Sequence, residues 1–319
     1  MSVGMPVRNG GRYLDGAVAA ILGQSAGDLE LIIADNGSID DTADIARRWA
    51  AADPRVVYRR DEAPLPPAAN FNRLIGWARG EHFKWCAADD LHEPTFLERC
   101  LTVLDAAPEV VLCCTATVSV DSEGAVLGPV ENEPDLDQPR PHQRLASLLS
   151  VDLRRYGAHE LYGVIRLPVL RATAGLGSHV RGDNALLANL ALRGRLHRVA
   201  EPLFVNRDHG ERSSRRDTVA DVRPDSRLAA LLGPGPLPSA GWWDPAARGR
   251  IVFPEWRVLG ELLRAVRTAP LDADERARCL AIWARYGLRN GPKLLRDTLI
   301  AGEQAGRRGL RRTIRLVGA

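Results

Sequence analysis

Lysine is almost missing from this chain of 319 residues, which has only Lys84 and Lys293; arginine supplies the rest of its 43 basic residues. Set against 40 acidic residues, the net charge is only +3. That balance is too near neutral to mark a nucleic-acid binder, and no nucleic-acid partner is expected. Cysteine is sparse as well: Cys86, Cys100, Cys113, Cys114 and Cys279 are odd in number and show no CxxC spacing. A zinc site and a disulfide framework are therefore not expected, and reduced thiols in a cytosolic compartment are. No window reaches the roughly 18 uncharged apolar residues of a membrane span. Met1 to Gly10 lacks a basic segment followed by a long apolar one, so a cytoplasmic location is expected. No internal repeat is found.

What is present describes an ordinary globular protein, 45% hydrophobic and 26% charged. The chain is long enough to bury a core without covalent help. Its first half alternates strand and helix signals, the pattern of a doubly wound α/β sheet. Val3–Val7, Leu29–Ala34, Val56–Tyr58 and His82–Cys86 read as the first four strands. Helical spacing follows each of the first three: Tyr13 to Leu22, Ile45 to Trp49, and Phe71 to Ala78. Val110–Val120 reads as a long strand, 129–143 as a surface loop, and Val199–Val205 as a strand. Beyond about residue 215 strand alternation stops. Pro and Gly cluster at 233–241 before Trp242-Trp243, and three helices follow (Glu255–Val266, Ala273–Tyr286, Lys293–Ala305). The expected division is a catalytic domain over 1–215 and a helical extension over 216–319.

The stretch Lys84-Trp85-Cys86-Ala87-Ala88-Asp89-Asp90-Leu91-His92-Glu93-Pro94 stands out. A buried strand ends in two adjacent carboxylates, which are costly there unless a cation accompanies them. The carboxyl edge of such a sheet is where ligands bind, and hard Mg²⁺ or Mn²⁺ takes carboxylate and phosphate oxygens. Pro94 reads as the start of the following helix, and Asp90 as an alternative cap for it.

An ordered set of short motifs accompanies these acids. Pro6-Val7-Arg8-Asn9-Gly10, Leu31 to Ser38 with Asp40 and Thr42, Ala78-Arg79-Gly80-Glu81, Asp89-Asp90, Gly163 to Arg166, Gly182-Asp183 and Arg207-Asp208-His209 occur in that order. Over about residues 3–214 the chain resembles family-2 glycosyltransferases of the GT-A fold. The resemblance implies a Rossmann-like, mostly parallel sheet flanked by helices, here with a C-terminal helical extension. It implies a metal-dependent inverting transfer of a sugar from a nucleotide-diphosphate donor to a hydroxyl acceptor, in polysaccharide, glycolipid or other glycoconjugate synthesis. Pro6, Arg8, Asn9 and Asp35 would line the donor pocket, Asp35 accepting from the base. An Asx-turn or helix cap is the competing reading of Asp35. Asn72 and Arg73 would contact ribose or diphosphate, with a solvated helix face as the alternative. Asp89 is the expected metal ligand, Asp90 supports it or the ribose, and His209 completes the shell or is a surface histidine. Arg207 would hold the diphosphate. Asp183 would be the base, though it also falls where a helix N-cap belongs.

Two places depart from the family pattern. Ala87 stands where a further acid is usual, and Gly182 where an acid precedes the Asp. These keep a sugar nucleotidyltransferase and a non-catalytic sugar-nucleotide-binding protein as alternatives. His159-Glu160 and Tyr162 are expected near a glycan, lipid-linked or other hydroxyl acceptor. The run Arg307 to Val317 mixes cations with apolar residues and suggests contact with the inner face of the plasma membrane; a basic, frayed tail is the other reading.

Overall fold

The computed structural model describes residues 1–131, 133–152, 156–210, 228 and 250–317, with side chains of the last helix described to residue 307. The expected domain boundary at 215, the Pro/Gly cluster and Trp242-Trp243 lie outside the described residues, as do the side chains of the basic run from Arg308 onward.

The first half follows the sequence pattern closely: β1 (Ser2–Val7), α1 (Gly11–Leu22), β2 (Glu30–Asp35), α2 (Thr42–Ala52), β3 (Val56–Arg60), α3 (Pro67–Trp77) and β4 (His82–Trp85). After the two acids come β5 (Leu91–His92), α4 (Phe96–Ala106), β6 (Val110–Val120) and β7 (Val126–Pro129). Then follow α5 (Pro141–Ser150), a 3₁₀ turn (His159–Tyr162), β8 (Val164–Arg166), α6 (Leu167–Arg171), α7 (Gly182–Ala191) and β9 (Arg195–Arg207). Three helices complete the described chain: α8 (Pro254–Thr268), α9 (Ala273–Arg289) and α10 (Gly291–Val317).

The strands form one sheet in the order β3-β2-β1-β4-β8-β6-β9-β5, with β7 paired to β6. The run β3-β2-β1-β4 is parallel. β8 runs antiparallel to both β4 and β6, and β9 is parallel to β6. The first strands read as unbroken apolar runs because both faces of the sheet are covered. Leu31 and Ile33 point to one core with Leu14, Val18 and Ile45, while Ile32 and Ala34 face the other with Leu74 and Ile75.

Two local readings change. Pro94 does not open a helix, because the chain first pairs Leu91 and His92 with Val205 and Phe204, and α4 begins at Phe96. The loop read over 129–143 gives way to α5 at Pro141, where Pro supplies a favourable first helical residue and Gln143 caps back to the Arg140 N–H. Residues 162–170, which carried no assignment from the sequence, hold the end of the 3₁₀ turn, β8 and most of α6. The C-terminal helices do not stand apart: Val258, Leu262, Ala265 and Val266 of α8 share one core with Leu145 and Leu148 of α5 and Leu187 and Leu190 of α7.

Candidate active site

The carboxyl ends of β1, β2 and β4 form one edge, and two loops are stitched together along it. The Asn9 N–H donates to Ser38 Oγ and the Ile39 N–H donates to Asn9 Oδ1, both at 2.9 Å. The Gly10 N–H reaches Thr42 Oγ1 at 2.9 Å, and the Gly11 N–H reaches Asp40 Oδ2 at 3.0 Å. Asn9 takes a left-handed φ of 54°, a conformation that asparagine tolerates better than most residues. Pro6 is buried opposite Ala34, and Arg8 is exposed. Asp35 is fully buried at this edge. One carboxylate oxygen accepts from the Ser38 N–H three residues on, at 2.9 Å, one residue beyond the spacing of an Asx-turn. The other accepts from the Tyr58 hydroxyl at 2.8 Å and lies 3.4 Å from Arg60 Nε. Burial and this carboxylate push the Tyr58 phenol far above its ordinary range.

Asn72 and Arg73 lie on α3, with different partners. Asn72 Nδ2 donates to Leu176 O at 2.8 Å and its Oδ1 accepts from the Leu176 N–H at 2.7 Å, a two-bond clasp on the loop that leads to Asp183. Arg73 pairs with Asp61 and lies 4.8 Å over the Trp77 ring.

At the end of β4 the acids meet the end of β9. His209 Nε2 lies 2.8 Å from Asp89 Oδ2, joining the two expected metal ligands across 120 residues of chain. The His209 ring packs 5.0 Å from the Tyr13 ring. Asp90 is buried, and its Oδ1 accepts from the Arg207 N–H at 2.9 Å. The Arg207 guanidinium donates to Asp89 O at 3.1 Å and to the Asp121 and Ser122 carbonyls, and lies over the Tyr13 ring. Its bonds therefore hold the acidic turn in place. Among the described residues no group of three or more His, Cys, Asp or Glu surrounds a metal-sized site. The pair Asp89 and His209 fits an ion whose remaining ligands come from a diphosphate, since carboxylate and imidazole both suit Mn²⁺.

Asp183 is the second residue of α7, and the cap position belongs to Arg181, at a left-handed φ of 63°. The helix starts two residues earlier than the capping reading required, because Gly182 already takes helical geometry. Asp183 Oδ1 accepts from the Asn184 N–H at 2.7 Å and from Asn184 Nδ2 at 3.1 Å. Burial raises its carboxyl above the ordinary carboxylate range, against the lowering effect of those bonds and of Arg181. Gly182 has a steric reason: a Cβ there would lie 2.3 Å from Gly177 O. The compact turn through 177–182 leaves no room for an acidic side chain at that place.

Several neighbours were not read from the sequence. Lys84 is fully buried in β4, donates to Tyr162 O and lies 4.4 Å over the Phe96 ring. Burial brings its ammonium down to about 8. One signal was available, a lysine inside an apolar strand in a chain with only two. Near the expected acceptor side, Glu160 hydrogen-bonds Tyr156 and, with Glu133, shares Arg198.

The sheet, its flanking helices and the acids at its carboxyl edge together define a fold of the GT-A type. Residues 2–147 match the family described as "Glycosyl transferase family 2", so this part of the chain is a family-2 glycosyltransferase domain. The chain is 25% identical over 211 residues to EpsH of Bacillus subtilis, covering 66% of this chain and 55% of that protein. It is 30% identical over 136 residues to the chondroitin synthase of Escherichia coli, covering 42% of this chain and 19% of that one. The match thus spans only about a fifth to about half of these relatives. Among solved structures, TarS 1–349 of S. aureus aligns with a TM-score of 0.58 at 14% identity, covering 94% of this chain and 80% of that one. TarS has also been solved with UDP-GlcNAc, at a TM-score of 0.51, 14% identity and 91% coverage of each chain.

Proposed function

We propose that this protein is an inverting, metal-assisted glycosyltransferase that moves a sugar from a nucleotide-diphosphate donor to a hydroxyl acceptor in glycoconjugate or polysaccharide synthesis. The observation that carries the reading is the Asp89–His209 contact at the sheet edge, inside the family-2 match. A protein of the same fold, TarS, holds a nucleotide sugar, which supports the donor class. Asp89 and His209 would hold Mg²⁺ or Mn²⁺, and that ion would offset charge on the departing diphosphate. Asp90 and Arg207 fix the turn that presents Asp89. Pro6, Arg8, Asn9, Asp35, Asn72 and Arg73 line or brace the donor side.

Asp183 takes the proton of the acceptor hydroxyl as that oxygen bonds to the anomeric carbon. The bond from that carbon to the diphosphate oxygen breaks on the opposite face, and its electron pair leaves with the nucleoside diphosphate. Its raised carboxyl suits a base that must gain a proton in one step and lose it in the next. The enzyme works in the cytoplasm and touches the inner face of the plasma membrane through residues 306–319.

Asp183→Asn tests the assignment. Melting should be preserved while transfer falls roughly 10²–10⁴-fold; near-normal turnover would remove Asp183 as the base. The released product also discriminates. Nucleoside diphosphate supports transfer, pyrophosphate would indicate a nucleotidyltransferase, and no turnover of any donor would leave a binding protein.

A further inference from the structure

Beside the proposed base lies a cation whose side chain bonds to nothing among the described residues. Arg181 is 8% exposed, and its guanidinium makes no hydrogen bond or ion pair among the described residues, with Nη2 fully enclosed. A guanidinium cannot shed its charge in a protein, so burying it without a bonded counter-ion is expensive. Its backbone is costly too, because φ is 63° at a residue with a side chain. Next along the chain, Asn184 is 3% exposed, and its Oδ1 also lacks a hydrogen-bond partner. Its Nδ2 is spent on Asp183. One orphaned donor and one orphaned acceptor therefore flank Asp183, at the N-terminus of a ten-residue helix that itself favours negative charge.

We infer that Arg181 and Asn184 form an acceptor subsite for an anionic sugar or polyol, one that carries a phosphate or carboxylate near the hydroxyl to be glycosylated. The inference rests on the transferase reading, since it takes Asp183 as the group that meets that hydroxyl. The planar guanidinium fork matches either oxyanion, and Asn184 Oδ1 accepts from an adjacent hydroxyl. Binding there would give the guanidinium a bonded oxyanion and place the acceptor against the base. The same position explains why a strained arginine is tolerated: at this cap a glycine would cost less in conformation and contribute no charge.

The test is thermal melting of the full chain and of Arg181→Gly, with inorganic phosphate or glucuronate, each against chloride at matched ionic strength. Glycine relieves the positive φ, so the variant should fold and melt no lower than the wild type. The preferred anion should raise the wild-type Tm by about 2–4 °C near saturation, and the shift should vanish in the variant. A shift with phosphate alone identifies a phosphorylated acceptor, and one with glucuronate alone an acidic sugar. UDP is run in parallel on the wild type. If UDP stabilises and neither anion separates the two proteins, the subsite falls alone. If the anion shift depends on Arg181 but UDP does not stabilise, the anion site stands and transfer from a UDP-sugar falls.

Discussion

Glu133 and Glu160 share a single guanidinium, Arg198, with Glu133 Oε2 2.9 Å and Glu160 Oε1 3.2 Å from it. Two buried carboxylates against one cation leave a charge that a proton can cancel. Burial pushes Glu133 up to about 7, with Arg198 opposing the shift and Glu160 adding to it. Glu160 is raised as well, again chiefly by burial. An unfolded glutamate ionises near about 4.3. Between there and about 7 the folded protein keeps a proton that the unfolded chain has released. Stability therefore falls as pH rises through that window, and the loss is complete above it. Glu133→Gln should flatten the decline of Tm between about pH 5 and 7.5; an unchanged slope would show that Glu133 ionises normally. No sequence pattern announced this pair, because the carboxylates are 27 positions apart and meet only through Arg198 of β9.

At the scale of elements, the turn before α7 is the most constrained piece of the site. Asn72 clasps it at Leu176, Gly182 packs on Gly177, and Arg181 accepts a left-handed backbone to start the helix. Restoring the acid that family-2 members usually carry here should therefore harm the protein. Gly182→Glu is expected to cost about 1–3 kcal/mol by overpacking and to lower transfer, measured by denaturant unfolding alongside product release. A stable, more active variant would show that the turn opens readily. The existence of these elements was legible: β1 to β4, β6, α8 and α9 fall within a few residues of their periodic signals, while α10 runs to Val317, twelve residues past the expected end at Ala305. β5 and α6 were not, since two to five residues are too few to display a period. Their identity comes from pairing with β9 and from packing after β8.

For the whole molecule, charge is unevenly spread. Residues 250–319 hold fifteen Arg and Lys against seven Asp and Glu, a net +8 in a chain of +3. No described helix is long and apolar enough to cross a membrane, but such a balance favours an anionic surface, at about 1 kcal/mol per cation held near it. Flotation with anionic vesicles should carry the full chain and lose most of it when residues 306–319 are removed; equal recovery would end the proposed membrane contact. Sequence by itself determined the alternation of strands and helices, the acids after β4 and the order of the family motifs, because periodicity and short spacing are local properties. Only the tertiary structure decided what those residues touch. It set Asp89 against His209 across 120 positions and closed both oxygens of Asp35 on Ser38 and Tyr58. It also left Arg181 buried without a bonded partner among the described residues. Burial and pairing depend on chain segments distant in sequence, and no local pattern encodes them.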